Sequence, residues 1–189
     1  DVLPAALYER LNKFFADRNL PLELLSRIKI WAIAAQVPLV DHLAEIAQGE
    51  ALDKMLYRRA EEADKTVGGL EEVEEQIAVF DSLSQREQIQ MLVDALDQYD
   101  EMQAKGEEPI EKIIELYRRG DAEALMVFMH ESSSADDALQ QKIEDALLWT
   151  RNERMAERIV EHRRTTPEQT MFFAVGAAHM PDERGVVAL

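Results

Sequence analysis

Residues 171–179, MFFAVGAAH, contain the clearest strand pattern in the sequence. Its first five residues are apolar, include aromatic and β-branched side chains, and end at Gly176, a pattern typical of a buried strand. His179 follows just beyond the end of that strand. Because ligands bind beyond the carboxyl ends of strands in open α/β sheets, we expect His179 to be a functional histidine.

A second segment has the same layout. Thr66–Leu70 (TVGGL) is predicted to be a short strand with a glycine pair near its end, and Glu71 follows Leu70 directly. Gly69 and Gly176 are therefore predicted to be structural turn residues. One strand end delivers a carboxylate and the other an imidazole, so the two together form a candidate half-site.

Most of the remaining chain has the apolar spacing of helices. Ser84-Gln-Arg-Glu87 is a capping box that begins one helix, and Gly120 is predicted to end another. The most polar connection, residues 132–137, precedes a long helix that contains Leu139 and Ile159. The sequence thus predicts an α+β fold that is predominantly helical, with a helical cap over a small β element of two or more strands.

Two strands alone make a marginal sheet in water. We therefore expect the missing strands to come from a homodimer formed through strand pairing or from residues upstream of Asp1. The chain begins without Met and stops in an apolar run. We interpret residues 1–189 as a single domain that is incomplete at both ends.

The composition excludes several classes of function. The 189 residues contain 21 Lys and Arg against 38 Asp and Glu, and the resulting net charge of −17 repels phosphate backbones and anionic lipid surfaces. No window approaches roughly 18 consecutive apolar residues. We expect no nucleic-acid partner and no membrane insertion. The absence of cysteine excludes disulfides, thiolate catalysis and cysteine-ligated zinc.

Three segments together resemble the TraB/GumN/Tiki family, and the likeness extends over essentially the whole chain. The segments are Lys65–Glu72 with Glu75 and Gln76, Arg151–Met155, and Phe173–Met180 with Gly185. Shorter similarities lie at Asp53–Ala60 and at Leu3-Pro4 with Tyr8. The resemblance implies an α/β-like family fold, with a central sheet under a helical cap, and a divalent-metal-dependent hydrolase, a peptidase in some animal members.

The sequence departs from the family pattern at one important point. The family carries two Gly-x-x-His motifs, and Gly176 with His179 match the second. The other histidines, His42, His130 and His162, lie in helical patterns and have no glycine three residues before them. The resemblance therefore implies a metal site with half of its parts absent from this chain.

His179 and Glu71 are the candidate metal ligands. Neutral imidazole suits transition metals, and Glu71 could instead act as a general base. The structural alternatives are a turn histidine that bonds nearby backbone and a carboxylate that favours the start of a helix. Glu72 is the competing carboxylate if the register differs by one residue.

Arg151 and Asn152 are the other candidate catalytic residues. Arg151 could hold a substrate carboxylate or stabilise an oxyanion, and Asn152 could orient Arg151 or a metal-bound water. The alternative for Arg151 is a solvated arginine paired with an acidic neighbour such as Glu144.

A catalytic zinc-like site needs about three protein ligands. We therefore expect this chain alone to bind manganese, cobalt or zinc weakly or not at all, and to hydrolyse little. The leading hypothesis is a metal-dependent, peptidase-like hydrolase that acts on a peptide or protein. Two alternatives stay open: a non-catalytic acidic helical module that binds a peptide or protein, and a GAAH turn that only packs. The resemblance to bacterial members with exported precursors implies an extracytoplasmic location.

Overall fold

The computed structural model describes residues 2–131 and 137–189. Within these ranges the chain consists of helices joined by turns and irregular connections. The α-helices are α1 Ala5–Ala16, α2 Ile30–Ala34, α3 Leu43–Gln48, α4 Leu52–Glu62, α5 Val73–Asp81, α6 Gln85–Lys105, α7 Pro109–Arg119, α8 Ala122–Glu131, α9 Asp137–Glu144 and α10 Thr150–Thr165. Shorter helical turns lie at Leu22–Leu25, Val37–His42, Asp145–Trp149 and Ala177–His179.

The chain divides into two compact units. The first contains residues 2–45 and 83–110, and the second contains residues 46–82 and 111–189. Every candidate site residue belongs to the second unit. No helix within the described ranges combines the length and the apolar composition that crossing a bilayer requires.

The first unit is built around the apolar face of α1. Leu7, Leu11, Phe14 and Phe15 are spaced three or four residues apart along this face, and they pack with Leu92 and Leu96 of α6. Arg18 borders this core, donating to Asp41 at 2.9 Å while its guanidinium lies 4.1 Å from the ring centre of Phe14. Burial of this apolar face holds the first unit together.

In the second unit, α9 and α10 are joined by a π turn, Asp145–Trp149. The backbone N–H of Thr150 donates to the carbonyl of Asp145, five residues earlier, as a π turn requires. Helix α5 and the turn at Ala177–His179 both contact this π turn. The sequence predicted one long regular helix here, and helical periodicity alone does not reveal the extra residue of a π turn.

Two local predictions about helix ends are confirmed. Ser84 Oγ accepts from the backbone N–H of Glu87, and the Glu87 carboxylate accepts from the backbone N–H of Ser84 at 2.7 Å. Gly120 directly follows α7 with a φ of 70°, a left-handed conformation that favours glycine. The capping box and the glycine after α7 depend on neighbouring residues only, so both can be predicted from the sequence. The predicted polar connection at 132–137 lies, up to residue 136, outside the described residues.

The predicted β element is wrong: the described ranges contain no strand. Neither 66–69 nor 171–175 makes a backbone hydrogen bond to another segment in the part of the chain that the structure describes. Side chains of 171–175 do alternate between half-buried and exposed, with Phe172 80% exposed. The alternating pattern is thus real, but a strand also needs a hydrogen-bonded neighbour, which a local pattern does not supply.

Candidate functional site

The structure connects the four predicted site residues through one turn of α10. Arg151 and Asn152 are consecutive residues near the start of this helix. Arg151 binds Glu71, which follows the glycine pair, and Asn152 binds His179, which lies in the GAAH turn. The carboxylate and the imidazole are thus linked by two adjacent helical residues, where the sequence had suggested two adjacent strands.

The Arg151–Glu71 pair is bidentate and largely buried. Arg151 Nε lies 3.0 Å and 3.1 Å from the two carboxylate oxygens, and Nη2 lies 2.8 Å from Oε2. The side chains are 17% and 5% exposed. A planar guanidinium suits such paired bonds, which fix orientation as well as charge. Both oxygens of Glu71 are therefore engaged by a cation.

The helix that carries Arg151 also anchors its guanidinium. Arg151 Nη1 donates to the carbonyl of Leu147 at 3.0 Å, and Leu147 lies inside the π turn. Carbonyls in a π turn depart from the regular hydrogen-bond pattern of a helix, so a side-chain donor can serve them. The described contacts of Arg151 use three of its five N–H donors.

Asn152 is completely buried and makes hydrogen bonds from both ends of its amide. Its Nδ2 donates to the carbonyl of Arg184 at 2.8 Å, and its Oδ1 lies 2.6 Å from Nδ1 of His179. A buried amide must be satisfied in this way, because leaving one end without a partner costs about 1–3 kcal/mol. The amide therefore joins the helix to the C-terminal turn.

His179 is 8% exposed, and the structure favours its neutral form. Burial lowers the pKa of the imidazole below its ordinary value, and the positive charge of Arg151 lowers it further. The carboxylate of Glu71 opposes this shift but does not reverse it. Metal ligation and proton abstraction both require a neutral imidazole, so His179 is in the protonation state that either role needs.

The C-terminal turn closes on itself around His179. The backbone N–H of His179 donates to Gly176 at 2.9 Å, and the N–H of Val186 donates to the carbonyl of His179 at 2.8 Å. A Cβ atom at Gly185 would lie 2.3 Å from the carbonyl oxygens of Met180 and Pro181. Only glycine fits this close backbone approach.

A second ion pair lies beside the first and was missed from sequence. Arg158 Nη2 donates to Glu75 at 2.8 Å, and its Nη1 donates to the carbonyl of Leu70 at 2.6 Å. The bond from Arg158, with a backbone N–H donated by Glu72, lowers the pKa of Glu75 from 4.5 to about 2. Part of this arrangement could be predicted, because Arg151 and Arg158 are seven residues apart in α10 and so lie on one side of that helix. The position of Glu71 could not, because Glu71 precedes α5.

Glu72, the alternative carboxylate, and two of the other histidines have partners outside this site. Glu72 caps α5 in a capping box with Glu75. His42 lies 3.1 Å from Glu45, and His130 lies 3.7 Å from Glu144. Across residues 2–131 and 137–189, no three His, Asp or Glu side chains are grouped to hold one metal ion. His179 thus offers a single nitrogen to a metal. Glu71 could bind a metal only if its ion pair with Arg151 opened.

These features define a class: a helical protein with a buried histidine held by an asparagine amide, beside a buried arginine–carboxylate pair. The TraB/PrgY/gumN family profile matches residues 1–189, and the chain belongs to this family. Similar proteins include Metalloprotease TIKI2 of Danio rerio and Metalloprotease TIKI1 of Xenopus tropicalis, each 29% identical over 154 residues. Each of these two alignments covers 72% of this chain and 30% of the relative.

A more distant relative aligns along most of the chain. Metalloprotease TIKI homolog of Nematostella vectensis is 24% identical over 199 residues, covering 96% of this chain and 40% of its own length. The chain therefore spans less than half the length of these curated relatives. No solved structure matches it.

Proposed function

We propose that the chain carries part of the active site of a metal-dependent hydrolase whose substrate is a peptide or a protein. Membership of the family and similarity to proteins named metalloproteases support this class of activity. The observation that carries the proposal is the buried, neutral His179 held by Asn152. An imidazole that is buried, oriented and uncharged is suited to ligation or proton transfer.

In this proposal, His179 provides one ligand to the metal. A bound divalent ion would supply Lewis-acid chemistry at the scissile carbonyl. Such a site needs about three protein ligands, and the described residues bring one free donor to it. The fit is therefore partial, because the described residues supply one of the ligands that such a site needs.

Arg151 is proposed to bind negative charge on the substrate or the developing oxyanion. Glu71 holds its guanidinium in place, and the described contacts leave two N–H donors for a ligand. In this arrangement Glu71 acts through Arg151. A direct role of Glu71 as ligand or general base would require the ion pair to open.

The test uses the full-length protein that contains this sequence, assayed with manganese or cobalt on a fluorescence-quenched peptide library. His179→Gln is expected to reduce cleavage to background while the melting temperature stays within a few degrees of the parent. His130→Ala is the matched control, because its exposed imidazole lies outside the site. Equal cleavage by His179→Gln and the parent would reject the hydrolase proposal and leave a non-catalytic binding module as the better interpretation.

A further inference from the structure

We propose that Asn152 is a positioning residue that fixes the tautomer of His179, placing the proton on Nδ1 and leaving Nε2 as the reactive nitrogen. The tautomer itself follows from hydrogen bonds within the second unit. The reactive role of Nε2 rests on the proposed hydrolase function.

The first step is the orientation of the Asn152 amide. A backbone carbonyl only accepts hydrogen bonds, so the amide end facing the carbonyl of Arg184 must be the NH₂ group. The oxygen end then faces His179. The reversed orientation would place the amide oxygen 2.8 Å from the Arg184 carbonyl oxygen, and two acceptors at this distance repel each other.

The second step is the imidazole. An amide oxygen only accepts, so the nitrogen of His179 that lies 2.6 Å from it must donate. That nitrogen is Nδ1. A neutral imidazole carries a single N–H proton, and Nε2 therefore keeps its lone pair. A second-sphere partner that binds one ring nitrogen in this way selects the nitrogen available to a metal or a proton.

The third step is the anchoring of the Arg184 carbonyl. The N–H of Gly185 donates to Asp182 at 3.0 Å, and the N–H of Val186 donates to His179 at 2.8 Å. A closed path thus runs from the His179 ring through Asn152 to Arg184 and returns through Val186 to the His179 backbone. The acceptor that orients the amide is held by the same turn that carries the imidazole.

Gly176 lies beside the edge of the His179 ring that includes Cδ2. A Cβ atom at Gly176 would lie 3.4 Å from Cδ2 of His179, the carbon bonded to Nε2. Glycine thus keeps side-chain atoms away from this edge of the imidazole. Gly176 thus keeps a methyl group off Cδ2, and Gly185 permits the close backbone approach of the turn that presents the Arg184 carbonyl to the amide.

The decisive experiment is a two-bond ¹H–¹⁵N correlation spectrum of the metal-free full-length protein, labelled with ¹⁵N-histidine and recorded at pH 8.5. Loss of a signal in His179→Gln identifies His179. We expect a single tautomer, with a pyrrole-type Nδ1 and a pyridine-type Nε2. A proton on Nε2, or an average of both tautomers, overturns the proposal.

Variants test the role of Asn152. Asn152→Ala removes the acceptor and is expected to move His179 to a mixture of tautomers, whereas Asn152→Gln tests whether a longer amide restores the single form. Asn12→Ala, the same substitution at an exposed position of α1, is the control and should leave the His179 signals unchanged. An unchanged His179 tautomer in folded Asn152→Ala would show that another group selects it, and would overturn the proposal.

The link to function is measured separately. In the full-length enzyme, loss of such a second-sphere partner is expected to reduce metal affinity or kcat about 10- to 100-fold. The reactive role of Nε2 is rejected if the parent shows a single tautomer and Asn152→Ala mixes the tautomers but leaves metal affinity and kcat unaffected. That result leaves the tautomer assignment standing, so failure of the proposed function and failure of the positioning inference give different results.

Discussion

Arg151 and Glu71 lie eighty positions apart in the sequence, yet three hydrogen bonds of 2.8–3.1 Å join their side chains. The pair is more than four-fifths buried on both sides. Removing one partner would leave a buried charge without compensation, which is costlier than never having had the pair. This asymmetry gives the first prediction.

Glu71→Ala or Arg151→Met alone is expected to lower the free energy of unfolding by about 3 kcal/mol. The double substitution should cost less than the sum of the two, because no uncompensated charge remains. Chemical denaturation monitored by circular dichroism measures each value. Arg164→Ala, which breaks an exposed pair with Glu161, is the control and should change stability by less than about 1 kcal/mol. Strict additivity at the first pair would contradict the prediction.

Two glycines in the C-terminal turn should respond very differently to alanine. Gly185→Ala places a methyl group 2.3 Å from two carbonyl oxygens, so the backbone must shift and we expect a loss of about 1–3 kcal/mol. Gly176→Ala places its methyl 3.4 Å from the imidazole and should cost much less. Thermal melts of both variants provide the comparison. A tolerated Gly185→Ala would show that the turn has another conformation.

The pKa of Glu75 gives a prediction about pH. Its folded pKa of about 2 lies below its ordinary 4.5, so the ionised, Arg158-bound form stabilises the fold above pH 4.5. That contribution is lost as pH falls from about 4.5 towards 2. Arg158→Met should return the pKa of Glu75 towards 4.5, as measured by carbon-detected NMR titration. Arg163→Met, an exposed change on the same helix, is the control. An unshifted pKa in Arg158→Met would contradict the assignment.

Metal binding by the isolated chain is predicted to be weak. The described residues supply His179 but no group of three ligands, and two ligands seldom hold a divalent ion tightly. Isothermal titration with manganese, cobalt or zinc at micromolar protein should give no tight one-to-one binding. Circular dichroism before the titration verifies that the chain is folded. A stoichiometric, high-affinity isotherm removed by His179→Gln would contradict this prediction.

The helices were predictable where their signals are local. The capping box at Ser84 and the left-handed Gly120 depend on neighbouring residues only, and the structure has both. The predicted strands at 66–70 and 171–175 were wrong because pairing depends on distant backbone. The π turn at Asp145–Trp149 also escaped prediction, since apolar spacing does not locate a single extra residue within a long helix.

The candidate site was predictable in its members but not in its connections. The motifs singled out His179, Glu71, Arg151 and Asn152. They did not indicate that Asn152 binds His179 or that Arg151 binds Glu71, because side-chain pairing depends on how elements pack. The carbonyl of Arg184 could not have been identified from residue type at all, since every residue has a backbone carbonyl.

Residues 151 and 152 occupy neighbouring positions on one rigid rod, and this has a mechanical consequence. Any slide or rotation of α10 displaces the guanidinium and the amide in a single movement, because both are attached to the same turn. The Arg151–Glu71 ion pair and the Asn152–His179 hydrogen bond would therefore be broken or formed together.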